Sequence, residues 1–586
     1  MPPEELWLLR RRGGEAFRHR MAAAGCDPLL AQILYARHVD TPEDARAFLT
    51  GESSLGDPLS LAGMEQALER LLRALRAGEK IVVYGDFDVD GVSATALLVS
   101  ALTLLGGNVS HYIPPRVNTE ADPEDEEREE GYGLNNPALE RLRREGAGLV
   151  VTVDCGIRSY HEVAQAQRRG LDIILTDHHT VPAELPPAVA VINPKCDAGE
   201  YPYRELAGVG VAHRLAEALW RAAGRDVAEL EQFLDLVAVG TIGDIVPLTG
   251  ENRLLARWGL ERLRRAPRPG LRALMEVSGL RPEEVDSRAV AFRLAPRLNA
   301  AGRLETAQRA YCLLTTTSEE EAQQLAAELN AINQRRQELL ECQLHMARES
   351  LAELDGQPLL LVAGPEYHHG IVGLIASRLL DEFYRPALVM RRDERSGTTR
   401  GSARSVEGFH ITRALDSCRD LLLRYGGHAR AAGFTLANDK LEVFCQRLLD
   451  YGAACLTPEL LRRRRHVDAI VPLAELTEAT PRALAALEPL GEGNPEPALA
   501  TLNVKLMTLQ PVGQGGKHLR LQVSDGQRVY SGIAFRRGAW GGDFQVGQRV
   551  DIIYRPELDT WQGELALQLV VEAMRPSPND SFSGKE

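Results

Sequence analysis

Lys80-Ile-Val-Val-Tyr-Gly-Asp-Phe-Asp-Val-Asp-Gly91 is an apolar run that breaks into three alternating aspartates and closes on glycine. A short apolar run of β-formers bounded by turn residues reads as a buried strand, here Ile81–Tyr84. The same pattern recurs twice. Leu149–Val153 runs into Asp154-Cys155-Gly156, and Ile173–Thr176 runs into Asp177-His178-His179. Two further runs, Val109–Ile113 and Ala188–Ile192, alternate with helix-like stretches, which predicts a parallel α/β sheet. In an open parallel sheet, sites form outside the carboxyl ends of the strands. All three polar clusters occupy that edge, so they can converge although far apart in sequence. Asp244, in Gly240-Thr-Ile-Gly-Asp-Ile-Val246, is a fourth candidate.

Carboxylates crowded at one sheet edge repel one another unless cations neutralise them. Oxygen donors mixed with imidazole suit Mn²⁺ or Mg²⁺, and no thiolate cluster favours zinc. Two such ions ~3.5–4 Å apart can clamp a phosphodiester and activate a water for in-line attack. Taken singly, each piece has a plainer explanation: a calcium loop, a helix N-cap or a structural histidine pair. Three together at strand ends outweigh it.

The chain has 586 residues, beyond the ~250–300 at which one core stops growing, so roughly three or four domains are expected. The boundaries read from the pattern are a helical region at 1–75, an α/β catalytic domain at 76–318 and a connecting helix at 319–356. A second α/β domain follows at 357–465, then a small β-barrel at 466–575 and a disordered tail at 576–586. The connecting stretch lacks Gly and Pro over 319–354, and Leu325, Leu329, Ile332, Leu339, Met346 and Leu354 form a broken stripe. One helix there would reach ~50 Å; two shorter packed helices fit as well. No apolar run approaches the ~20 residues of a membrane span, the N-terminus lacks a signal core, and eight scattered cysteines form no CxxC pair. These features predict a cytoplasmic protein with reduced thiols and no membrane partner. The net charge of −14 argues against a DNA binder, but half of it comes from Glu120–Glu130, where eight acids face Arg128 alone.

The Asp-His-His triplet, with Tyr84–Gly91 upstream and Val153–Gly156 between, resembles the DHH phosphoesterase superfamily. Five further stretches are similar to the RecJ single-strand exonucleases. They are Leu206–Val211, Ala295–Arg303, His368–Gly373, Gly401–Ser405 and Gly426–Gly433. The likeness runs from near residue 1 to about 575, in the family's domain order. It implies a DHH domain joined by the long helix to a DHH-associated domain, and an OB-fold for the barrel. It implies an exonuclease that digests single-stranded DNA from the 5′ end, releases 5′-mononucleotides, and serves DNA repair and recombination. Single-strand-binding protein and a RecQ-type helicase are the protein partners it suggests.

Residue by residue, the resemblance makes Asp88, Asp90, Asp154, His178 and Asp244 metal ligands, with Asp154 bridging two Mn²⁺ or Mg²⁺ ions. His179 matches the histidine that faces the scissile phosphate. Asp86 is assigned as a ligand or orienting group. Many superfamily members carry a histidine where this chain has Tyr84. Ser402 and Arg404 match the phosphate-binding motif of the second domain, where a guanidinium suits bidentate contact. Arg116, Arg297, Asn299 and Arg303 are further substrate candidates, the last three in a Pro/Gly-punctuated turn. His428 matches a histidine reaching the site from the second domain, with His368 a weaker candidate. Lys517, His518, Arg520, Arg536, Arg537 and Trp540 are surface candidates on the barrel. In the family, the match to Arg116 is soon followed by the match to Gly131–Leu134; here Val117–Glu130 intervenes, expected as a solvated loop near the groove mouth. Two other functions fit parts of the pattern. A phosphodiesterase for short oligonucleotides or cyclic dinucleotides usually lacks the barrel. A non-catalytic replication-fork scaffold lacks several ligands that are present here.

Overall fold

The computed structural model describes residues 5–115, 133–196, 200–266, 268–352, 356–559 and 566–578. Arg116, the insertion Val117–Glu130 and most of the tail lie outside the described residues. The chain divides into two compact units. One is Ser54–Leu461 with Gly491–Gly493; the other combines Met1–Ser53, Arg462–Leu490 and Asn494–Glu586.

The first unit contains the expected parallel sheet, in the order Asn108–Tyr112, Lys80–Gly85, Ala147–Val153, Asp172–Thr176, Ala190–Ile192. Its strands read as continuous apolar runs because both faces are covered. Ile81, Val83, Leu149 and Val151 pack on the helices Val89–Leu104 and Gly208–Ala222, whereas Val82, Tyr84 and Val150 pack on Leu139 and Val163 of the opposite face. Glu319–Ala352 is a single helix of 34 residues. Its N-terminal half contributes Ala322, Ala326 and Leu329 to the core of the parallel-sheet lobe. Leu340, Leu344, Ala347 and Leu351 join the core of the next lobe. The buried line keeps Leu329 and Ile332 of the expected stripe but passes through Ala322, Ala326 and Ala347, whose small side chains let helices approach closely, while Leu325 and Leu339 are only partly buried. The second lobe is a mixed sheet, Leu422–Gly427, Ala431–Ala437, Thr398–Arg404, Ala387–Asp393, Leu360–Gly364, with only the last two strands parallel.

Residues 295–303 depart from expectation: they form the helix Ala295–Leu304, not a turn, entered through a π turn at Val290–Leu294. Pro296 sits in the first turn, where no intrahelical N–H is needed. Gly302 is not a breaker but a contact, since a Cβ there would overlap the Phe87 carbonyl oxygen of the aspartate loop.

In the second unit, Leu499–Val512, His518–Ser524, Val529–Ala534, Ala566–Pro576 and Arg549–Asp559 close into a five-strand barrel through pairing of the first with the last. Leu519, Leu521, Val523, Val550, Ile552 and Tyr554 point into its core, as their alternation requires. The stretch 1–75 is not one region. Leu6–Leu9 is a strand paired with Arg464–Val467, and Phe17, Met21, Leu30 and Leu34 pack into the barrel's core, whereas Met64, Leu68 and Leu71 pack into the parallel-sheet lobe. No helix among the described residues is long and apolar enough to cross a membrane.

Alanine normally stabilises a helix interior relative to glycine by roughly 0.5–1 kcal/mol. Gly302→Ala is expected to do the opposite, lowering stability by about 1–3 kcal/mol through overpacking against Phe87. Urea denaturation of both proteins checks this: a lower midpoint is expected, and a higher one would show that the contact is dispensable.

Candidate active site

The first aspartate cluster is arranged by a helix start. Asp88 caps Val89–Leu104, its Oδ1 accepting from the N–H groups of Asp90 (3.0 Å) and Gly91 (3.1 Å). Asp90 is fully buried and accepts from Gly208 N (2.7 Å) and Val209 N (2.8 Å), first-turn donors of the helix Gly208–Ala222 that have no partner within it. Asp154, 1% exposed, follows its strand in left-handed backbone with φ 63°. Gly208 is required beside it, because a Cβ would fall 2.7 Å from that of Asp154. Asn299 Oδ1 accepts from Val89 N at 2.8 Å. Asn299 was expected at the substrate, and the contact it makes holds the aspartate loop.

His178 is 6% exposed and lies among the carboxylates, with Nε2 3.0 Å from Asp154 Oδ1, 3.6 Å from Asp244 Oδ2 and 3.9 Å from Asp90 Oδ2. Its companion His179 is held by Asp177, whose Oδ1 receives His179 Nδ1 at 2.8 Å and the N–H groups of His178 (2.7 Å) and His179 (3.0 Å). The other oxygen accepts from Ile157 N at 2.9 Å. Asp177 thus organises the loop, a role its place in the sequence motif did not announce. Three groups have ligand atoms within 4.8 Å of one another: Asp154, His178 and His179; Asp90, His178 and Asp244; and Asp86, Asp88 and Asp154. Asp154 and His178 each belong to two of them, so the structure brings together every predicted ligand, with room for more than one cation position.

Burial, then the charges of Asp244 and Asp88, hold the Asp90 carboxyl well above its ordinary range, and Asp154 is raised by burial and by Asp90. Burial and Asp88 push Asp244 up to about 7. Burial and His179 bring His178 down to about 3, so its imidazole is neutral near pH 7. Burial, the largest single effect, opposes the shifts at Asp177 and His179, but their mutual hydrogen bond and the attraction of opposite charges together outweigh it, lowering the acid and raising the histidine. Neither ring nitrogen of His178 has a hydrogen-bond partner among the described residues. A buried neutral imidazole with unused lone pairs, among carboxylates that cannot all ionise together, is the donor set of a divalent cation. Cys155 is no ligand: its thiol lies toward Tyr84 O at 3.8 Å and burial raises its pKa. Tyr84 packs on the far face of the sheet, its hydroxyl donating to Gly133 O at 3.2 Å.

A second cluster forms in the same unit. Strand alternation puts Ser402 and Arg404 on one face, where Arg404 Nη1 donates to Ser402 Oγ at 2.9 Å. Gly373, in the first turn of the helix Val372–Phe383, lies against both; a Cβ there would be 3.1 Å from Ser402 Oγ and from Arg404 Nη2. Arg303 Nη1 reaches Gly370 O in the same turn at 3.4 Å. Two guanidiniums and a hydroxyl beside a helix N-terminus make an anion cradle. His428 reaches the first lobe, its Nδ1 3.4 Å from Thr180 Oγ1, next to His179. Arg297 is engaged elsewhere, donating to Asn330 Oδ1 (3.0 Å) and Arg293 O (2.6 Å). His368 Nδ1 accepts from Gly370 N at 3.1 Å, which shapes the turn. On the barrel, Trp540 is 6% exposed and belongs to the core, contrary to its expected surface place, while Phe535 is exposed beside His518, their ring centroids 5.5 Å apart.

Comparison with known proteins agrees with this geometry. The family model for the DHH family N-terminal domain matches residues 80–241, the DHHA1 domain model matches 356–453, and the RecJ OB domain model matches 467–573. The chain is 37% identical to the single-stranded-DNA-specific exonuclease RecJ of Bacillus subtilis, over 97% of this chain and 70% of that protein. It is 35% identical to the enzyme of the same name from Escherichia coli, over 94% of this chain and 96% of that one. The crystal structure of RecJ in complex with Mn²⁺ from Thermus thermophilus aligns with a TM-score of 0.84 at 32% identity, covering 99% of this chain and 81% of that chain. Identity at this level across all the domains, with the candidate ligands gathered at one sheet edge, establishes that the chain belongs to the RecJ family of single-stranded-DNA-specific exonucleases.

Proposed function

We propose that this protein is a metal-dependent exonuclease that hydrolyses single-stranded DNA from a 5′ end and releases 5′-mononucleotides, in the service of DNA repair and recombination. The observation that carries this reading is the pairing, within one unit, of a carboxylate–histidine centre built around Asp154 and His178 with an anion cradle at Arg303, Ser402 and Arg404. The complete ligand set disfavours a non-catalytic scaffold, and the barrel disfavours a dinucleotide phosphodiesterase.

Asp88, Asp90, Asp154, His178 and Asp244 would hold the cations, with Asp154 shared and Asp86 assisting. Bound there, two Mn²⁺ or Mg²⁺ ions supply Lewis-acid polarisation of the phosphodiester and a water acidic enough to attack it. The chain's own groups do the rest. Asp177 fixes His179 through Nδ1 and favours its protonated form, so that Nε2–H can donate to a non-bridging phosphate oxygen. Arg303, Ser402, Arg404 and the first turn of Val372–Phe383 would hold the terminal 5′-phosphate. A fixed end then places the adjacent diester at the centre, which gives one nucleotide per cut.

Eight free cysteines support a reducing cytoplasmic setting. The need for an unpaired 5′ end supports as partners a RecQ-type helicase, which exposes one, and a single-strand-binding protein, which keeps it open.

Asp154→Ala is expected to abolish Mn²⁺-dependent cleavage with the fold intact, while part of the single-strand affinity persists through the phosphate contacts. Gel-based nuclease assays with circular dichroism check this; near-normal turnover by a folded variant would sink the shared-ligand assignment. Arg404→Ala should lower the preference for 5′-phosphorylated over 5′-hydroxyl ends by about 1–3 kcal/mol, the cost of a lost charge-assisted hydrogen bond. Rates on both ends with both proteins give that ratio, and an unchanged ratio places end recognition elsewhere.

A further inference from the structure

Two large apolar side chains stand in solvent on unusual backbone, Ile245 next to Asp244 and Phe292 on the turn that packs against the helix ending at Asp244. Ile245 directly follows Asp244, is 70% exposed, and has φ 67° and ψ 31°. That left-handed conformation is a costly outlier for a β-branched residue. Phe292 is 75% exposed and lies in the π turn Val290–Leu294. Strained non-glycine residues and π turns cluster where function maintains them. Singly exposed apolar residues need no explanation, but these two flank one junction. The helix Leu234–Asp244 packs on the π turn, and a Cβ built on Gly243 would lie 3.1 Å from that of Ala295. The helix leaving that turn carries Asn299, which holds the aspartate loop through Val89 N.

The charge nearby suits one kind of occupant. Arg297 lies on the helix that follows Phe292, and Arg336 and Arg378 lie on the two helices Glu319–Ala352 and Val372–Phe383. The first and last of these three helices pack against the long one. None of the three arginines makes an ion pair among the described residues: Arg297 is held only by the neutral Asn330 Oδ1 and Arg293 O, and Arg336 Nε is buried without a partner there. Exposed apolar side chains and guanidiniums that face no carboxylate, carried on helices packed together, match the bases and phosphates of an unpaired strand.

We infer that Ile245 and Phe292 form an apolar rim on which an unpaired base next to the scissile phosphodiester stacks. The inference rests on single-stranded DNA being the substrate. It makes the rim a specificity device, because the bases of a duplex are already stacked and paired and offer no free face.

The test compares kcat/KM for a 5′-phosphorylated single strand and for the same strand with abasic sugars in its first four nucleotides. Stacking on an aromatic side chain is worth enough for the wild type to lose about tenfold or more on the abasic strand. Phe292→Ala should lose a similar factor on the normal strand and show little further loss on the abasic one. Ile245→Asn should weaken use of the normal strand and melt no lower than the wild type, since asparagine tolerates left-handed backbone. Equal abasic losses in wild type and Phe292→Ala would overturn the inference, as would a lower melting temperature for Ile245→Asn, which would make that residue a packing group. Failure of the wild type to digest the normal strand would instead overturn the proposed function.

Discussion

Asp90 and Asp154 are buried with half-buried Asp244 beside them, and the mutual repulsion of the three is the constraint on which the rest of the structure depends. Hydrogen bonds relieve only part of it. The N–H groups of Gly208 and Val209 stabilise Asp90, whereas at Asp244 burial and the charge of Asp88 exceed the help of His179 and Lys195 and push the carboxyl up to about 7. A protein core does not keep such a group of acids for stability, since their burial disfavours the charged forms. It is explained as a site for positive charge, and neutral His178 completes the donor set. The surrounding features serve to hold the acids together: left-handed Asp154, side-chain-free Gly208, and Asn299 bracing the loop from another helix.

Substrate geometry follows from how the second lobe is tied to the first. The helix Glu319–Ala352 enters both hydrophobic cores, so it is anchored along most of its length. Arg303, near the end of Ala295–Leu304, meets Gly370 just before the helix Val372–Phe383, and the strand of Ser402 and Arg404 lies against Gly373 in the first turn of that helix. The cradle is therefore assembled from both lobes. Its distance from the carboxylate centre is set by packed helices, which is what a nuclease measuring one nucleotide from an end requires.

Much of this was legible in the sequence because the signals were local. An apolar run ending in Asp, three times over, marked the sheet's functional edge and every proposed ligand except Asp244, which ends the helix Leu234–Asp244. What was not legible depended on partners far away along the chain. Leu6–Leu9 is too short to read as a strand, and its partner begins at Arg464. Asp177 carries no assigned role in the motif, and its part in organising the loop shows only through the backbone donors of Ile157, His178 and His179. Pro296 and Gly302 read as punctuation, yet the first suits a helix start and the second a close contact. Arg297 and Asn299 are consequently fixed by protein groups that the motif alone could not reveal. Trp540 misled for a related reason: an aromatic beside arginines suggests a stacking surface, but here the ring fills the barrel's core while Arg537 lies over it at 5.1 Å.

Calorimetric titration of the metal-free protein with Mn²⁺ tests the central claim most directly. Two ions should bind per chain, and binding should release protons because the buried carboxyls must ionise. Asp244 is largely protonated at pH 6 and largely ionised at pH 8, so its contribution to proton release should fall across that range, with the midpoint near 7. Measurement in buffers of different ionisation enthalpy yields the proton count at each pH. Saturation at two ions with a declining proton release is the expected result. Fewer than two ions, or a release that does not change with pH, would contradict a preformed, charge-starved metal centre.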